Sequence, residues 1–142
     1  MNLWSLNTAC KSNEQSMLLK NRGYIGLGEP YENREEKKGN TTIKQLVKFK
    51  NIAKKNDYIF LYKNKIGFIA YGKYTGEAFT PQFNDEFAPG WNSSSEKQCH
   101  LGIDQWISFM NPIKTNHFNR TTLSLIKNNE LKNQLTSLQF LS

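Results

Sequence analysis

Cysteine is scarce in this chain, and the little there is forms no framework. Cys10 and Cys99 stand far apart, with no C-x2–4-C or H-x3–5-H spacing near them. Such thiols read as reduced and partly buried, not as a disulfide scaffold. A metal site built from Cys10, Cys99, His100 and His117 would lack the paired ligands of structural zinc sites, so no metal is expected. Long hydrophobic runs are missing too. None approaches the roughly 20 residues that span a bilayer, and no charged-then-apolar leader opens the chain, which sets a cytoplasmic expectation. Enzyme signatures are equally thin. There is no GxxxxGKS/T phosphate loop, GxSxG elbow, HExxH pair or kinase set. His100, Asn111 and His117 lack the ββα setting of a His-Asn-His nuclease. Asp57, Asp85, Glu86 and Asp104 are scattered and form no acid–base pair. These absences leave a binding module, without cofactor, as the expectation.

Acidic residues are outnumbered, 12 against 19 Lys and Arg, which gives a formal charge of +7 and a pI near 9.4. A basic surface favours polyanionic partners, because each phosphate that a cation neutralises releases counterions. The 142 residues suit one domain, 1–142, with a single modest core. Aromatics make up 13% of the chain, so that core is expected to be aromatic-rich.

The organising stretch is residues 56–77. Tyr58 to Tyr62 is an apolar, aromatic run of strand length, Lys63-Asn64-Lys65 a polar turn, and Ile66 to Tyr74 a second run. β-branched and aromatic residues bounded by Asn, Lys and Gly predict a hairpin. Both runs are apolar at nearly every position, so both faces should be covered, as in a small closed barrel. Gly67 and Gly72, inside strand-like sequence, mark bulges, corners or close backbone approach.

The flanking sequence supplies further elements. Residues 1–8 form a short strand centred on Trp4. Residues 12–20 carry a capping-box pattern, Ser12 with Gln15, and predict a turn or two of helix before Gly23. Residues 30–42 read as an exposed polar loop. Residues 42–56 form an amphipathic helix, with Ile43, Leu46 and Val47 on its apolar side and Lys44, Lys48, Lys50, Lys54 and Lys55 around the rest. Those lysines are either simply solvated or in reach of phosphates. Residues 75–91 leave the hairpin as a loop with a helical turn, given Pro81 and Pro89. Trp91 lies in this polar loop, where a large ring needs a reason. Residues 97–109 predict one strand with Trp106 in the core, and 111–120 a polar connector. Residues 118–125 predict a closing strand, and 127–141 a helix striped with Leu131, Leu135, Leu138 and Leu141. That helix either docks on the barrel or leads into a longer protein.

Asn56-Asp57, the apolar run, the short turn and then Ile66-Gly67-x4-Gly72-x2-Thr75-Gly76-Glu77 resemble the core hairpin of the PUA-like superfamily. The nearest likeness is to its YTH and EVE modified-base readers, including the N-terminal domains of McrB-type restriction proteins. The resemblance spans roughly residues 3–125. It implies an α+β fold, a small PUA-like β-barrel flanked by helices. It also implies a function: a methylated DNA base flipped from the duplex into an aromatic cage, in the targeting module of a restriction system. By position, Trp4, Tyr24 and Trp91 would wall that pocket, and Asn7 and Thr8 would hydrogen-bond the base edge. Tyr24 stands where a Trp is more usual. Arg22, Lys73, Lys97 and Arg120 are candidate phosphate contacts. The implied partners are modified DNA, or methylated RNA or tRNA in an alternative reading, together with separate nuclease and NTPase domains or subunits.

Overall fold

A computed structural model describes residues 1–8, 24–26, 41–63, 65–79, 100–115 and 123–139. In chain order the elements are β1 (Leu3–Thr8), β2 (Tyr24–Gly26), α1 (Thr41–Ile52), β3 (Tyr58–Lys63), β4 (Gly67–Phe79), β5 (His100–Ile103), β6 (Ile107–Ile113), β7 (Leu123–Leu125) and α2 (Asn129–Gln139). Among the described residues the fold is mostly one mixed sheet with two short helices, an α+β arrangement.

The expected hairpin is its centre. β3 and β4 pair antiparallel from Tyr58↔Lys73 to Lys63↔Gly67, with a register shift after Leu61. Ile66 N–H closes the turn on the Lys63 carbonyl at 3.0 Å, and Lys65 takes a left-handed φ of 68°. β1 lies parallel to β3, from Leu3↔Tyr58 to Thr8↔Lys63. A parallel pair needs a long crossover, and here the crossover carries β2 and α1. β7 runs antiparallel outside β1, and β2 antiparallel outside β5. The strand order is β2-β5-β4-β3-β1-β7, with β6 also on β4. Among the described residues no pairing joins β7 to β2, so the sheet is open there.

Three expectations are corrected. β4 does not stop near Tyr74 but continues through Thr75-Gly76-Glu77 to Phe79, with a register shift between Tyr74 and Ala78. The turn-like Thr-Gly-Glu is absorbed as an irregularity inside the strand, where Thr75 Oγ1 accepts the Glu77 N–H at 3.3 Å. The stretch 97–109 is not one strand, because β5 and β6 follow each other along one edge of β4 and break at residues 104–106. Residues 111–113 belong to β6 and not to a connector. Pro112 is tolerated there because β6 pairs on one side only, among the described residues.

Gly72 explains the break. A Cβ at this position would overlap Ile103 Cγ2 and come within 2.7 Å of the Gln105 carbonyl oxygen. The bare backbone lets three residues bulge over the space of two, which folds Trp106 inward. Gly67 is fixed twice over: its φ is 119°, and a Cβ would strike the Ile113 backbone.

Each sheet face has its own core, and β3 contributes to both, which accounts for its unbroken apolar run. On one face Ile59 and Leu61 join Trp4, Leu6, Leu101, Trp106 and Leu123 around Phe49 of α1. Phe49 makes edge contacts with Trp4 at 4.8 Å and Tyr74 at 4.9 Å between ring centroids. Strands as distant in the order as β5 and β7 thus share one cluster, so the sheet wraps around this helix. Gln45 of α1 closes the β7 end, where its Oε1 accepts the Leu123 N–H at 2.7 Å. On the other face Phe60, Tyr62, Phe68 and Tyr71 pack against Leu131 and Leu135 of α2. Asn128 caps that helix by accepting the Leu131 N–H at 2.8 Å.

Candidate functional site

Side chains alternate across a strand, and this decides how β1 can serve a site. Trp4 and Leu6 belong to the α1 face, and Leu3 to the α2 face. Asn7 therefore points away from the Trp4 face. Trp4 is only 1% exposed. Its indole N–H is committed to Asp57 Oδ2 at 3.1 Å. The expectation that Trp4 walls an open pocket is corrected: the ring packs against Phe49 and offers no face to a base.

Asp57 is the hub of that end of the sheet. It is 3% exposed. Its carboxylate also accepts Asn2 N–H at 3.1 Å and Lys54 N–H at 3.0 Å. Its own backbone receives the Tyr74 N–H at 2.8 Å, and Tyr58 N–H reaches the Asn2 carbonyl at 3.1 Å. Asn56 turns the corner with a φ of 76°, a left-handed conformation that Asn accepts readily. The helix exit and β1 are thus joined through this one side chain, while backbone hydrogen bonds of Asp57 and Tyr58 tie in β4 and β3.

Asn7 is half-buried, paired in register with Tyr62 at the carboxyl end of β1. Tyr62 lines a cleft of about 670 Å³ together with Lys65, Ile66, Lys114, Glu130 and Gln134. Two lysines, a tyrosine and several hydrogen-bonding side chains converge there. Thr8 ends β1 opposite Lys63. Tyr24 sits in β2 opposite Gly102, with β5, β4 and β3 between it and β1 in the sheet order. Trp91, Arg22, Lys97 and Arg120 lie outside the described residues.

Lys73 is exposed on β4 opposite Tyr58, with Nζ 5.7 Å from the Tyr58 ring centroid. The two residues line a second, smaller recess of about 290 Å³ with Tyr71, Asp104, Gln105 and Ile107. A further cationic pair stands on α1 and the segment after β7. Lys48 is exposed and has Lys127 as a like-charged neighbour. Lost hydration, then the neighbouring ammonium, hold its pKa below the ordinary lysine value.

Sequence reasoning missed Tyr58, Tyr62, Tyr71, Lys65 and Lys114 as site residues. The available signal was the period-2 row Tyr58-Phe60-Tyr62, whose hydroxyl-bearing rings stand at the two strand ends. Among the described residues no group of three His, Cys, Asp or Glu side chains could hold a metal ion. No helix described is long and apolar enough to cross a membrane. The chain matches no protein-family model and no curated protein.

Proposed function

We propose that this chain is a nucleic-acid-binding domain on a PUA-like, barrel-forming sheet, and that it captures one modified base of DNA. The observation that carries the reading is the cleft at the carboxyl end of β3. Tyr62, the register partner of Asn7, lines it together with Lys65 and Lys114. Its volume of about 670 Å³ falls within the roughly 300–1,000 Å³ of small-ligand pockets. A flipped base needs stacking, edge hydrogen bonds and cations for the flanking phosphates. Tyr62 would supply the first, Asn7, Gln134 and Glu130 the second, and the lysines the third. Trp91, outside the described residues, is the further ring proposed for the cage, and a methyl group is selected because it gains apolar contact without losing hydration. Lys48 and Lys127 add a phosphate contact, since an anion between two neighbouring ammonium groups relieves their repulsion.

The test is a gel-shift comparison of duplexes carrying 6-methyladenine or 5-methylcytosine with the unmodified duplex and matched RNA. One methylated duplex should bind at least about tenfold tighter, and Trp91→Ala should abolish that preference, given about 1–3 kcal/mol for stacking one base. Equal binding of all DNAs, unmoved by the substitution, defeats the reading. Tighter binding of methylated RNA transfers it to RNA.

A further inference from the structure

The recess between Tyr58 and Lys73 is not the cleft assigned to the modified base. It stands at the opposite end of the same row of rings, because Tyr58 and Tyr62 begin and end one face of β3. Four residues of strand separate them, about 13 Å. We infer that this recess is a second stacking site, one that takes an unmodified, amino-bearing nucleobase of the same strand.

Three features select that occupant. The first is the wall. Tyr58 is half-buried, with its ring held by Phe60 at 6.5 Å and Tyr71 at 6.2 Å between centroids. Phe109 supports Tyr71 from beyond at 5.3 Å. The ring is fixed from behind and needs no ordering on binding. The second is the cation. Lys73 Nζ lies over the Tyr58 ring, a place that attracts positive charge or another π system. Lys73 is exposed and its stem is flexible, so an incoming base displaces the ammonium, which then meets the flanking phosphate. The third is the edge. Asp104 and Gln105 line the recess, and both are exposed. A carboxylate only accepts hydrogen bonds, so it suits the exocyclic amines of cytosine, adenine and guanine. Thymine and uracil present carbonyl oxygens beside their single ring N–H, and the carboxylate repels them. At about 290 Å³ the recess lies at the lower end of ligand-pocket sizes, as suits a single ring system.

The site rests on the nucleic-acid reading above, and the experiment separates the two. Short single-stranded dC, dA and dT oligonucleotides are titrated by fluorescence against the full chain. The unaltered chain should bind dC and dA roughly tenfold tighter than dT. Tyr58→Leu, which keeps apolar packing but removes the ring, should weaken dC and dA binding about tenfold or more. Asp104→Asn, on an exposed side chain, should erase the preference while leaving the melting temperature unchanged. Neither variant should alter the ratio of methylated to unmethylated duplex binding, which Trp91→Ala should. Oligonucleotides that bind without base preference, or that ignore both substitutions, overturn this second site and leave the first reading standing. A chain that binds no oligonucleotide and no duplex overturns both.

Discussion

Two tryptophans and one aspartate show what single side chains decide here. Trp4 and Trp106 are both buried, yet only Trp4 has a partner for its N–H, and Trp106 Nε1 has none. A buried donor without an acceptor costs about 1–3 kcal/mol. Trp4→Phe should therefore destabilise more than Trp106→Phe in urea melts, since the first breaks a hydrogen bond to buried Asp57 and the second removes an orphan. Asp57→Ala should be worse than either, because it strands three N–H groups at once. A loss of at least about 3 kcal/mol is expected, and a loss below about 1 kcal/mol would refute the hub. Gly72→Ala should cost about 1–3 kcal/mol through forced overpacking, read as a lowered melting temperature. Lost hydration at Lys48, with the Lys127 charge adding to it, gives a pH effect. With the folded pKa of Lys48 below its unfolded value, the unfolded chain binds more protons in the window between the two. Stability must rise with pH across that alkaline window. Lys127→Gln removes the like-charged neighbour but not the lost hydration, and should reduce the rise in urea titrations without abolishing it.

Elements whose pattern repeated along the sequence were legible; those set by distant packing were not. The 3.6-residue spacing marked both helices, and the all-apolar runs marked β3 and the first half of β4, because local periodicity reports burial directly. The second half of β4 was hidden, since Thr75-Gly76-Glu77 carries turn chemistry and becomes strand only through pairing with β5. The break between β5 and β6 was equally hidden, because it follows from the missing Cβ of Gly72 on another strand. Near the two recesses, Asn7 entered only through the PUA-like resemblance and Lys73 as a basic residue of the second apolar run. Tyr58 was not legible, because a tyrosine in an apolar run looks like core until a neighbour leaves part of it exposed. At this scale α2 is the element to test. Leu135, fully buried against the Phe60 face, should cost about 2–5 kcal/mol as Leu135→Ala. If α2 merely rested on the sheet, the urea midpoint would not move.

The whole molecule carries +7, and the proposed contacts put lysines at both ends of one sheet face. Binding should then fall steeply with salt, by about 0.9 log units per log unit of salt for each phosphate neutralised on duplex DNA. Lys65→Glu with Lys114→Glu should lower that slope by roughly 2 in gel shifts across a salt series. An unchanged slope would move the phosphate path away from the cleft.

The parallel pairing of β1 with β3 also has a consequence for biosynthesis. The ribosome makes β1 before either of its neighbours: β3 waits for the whole crossover, and β7 follows β3 to β6. At about 5–20 residues per second, an aromatic strand with both edges bare stays outside any sheet for several seconds, open to stray pairing. Chaperone capture of the nascent chain should therefore include the β1 segment and persist there until β7 has cleared the exit tunnel.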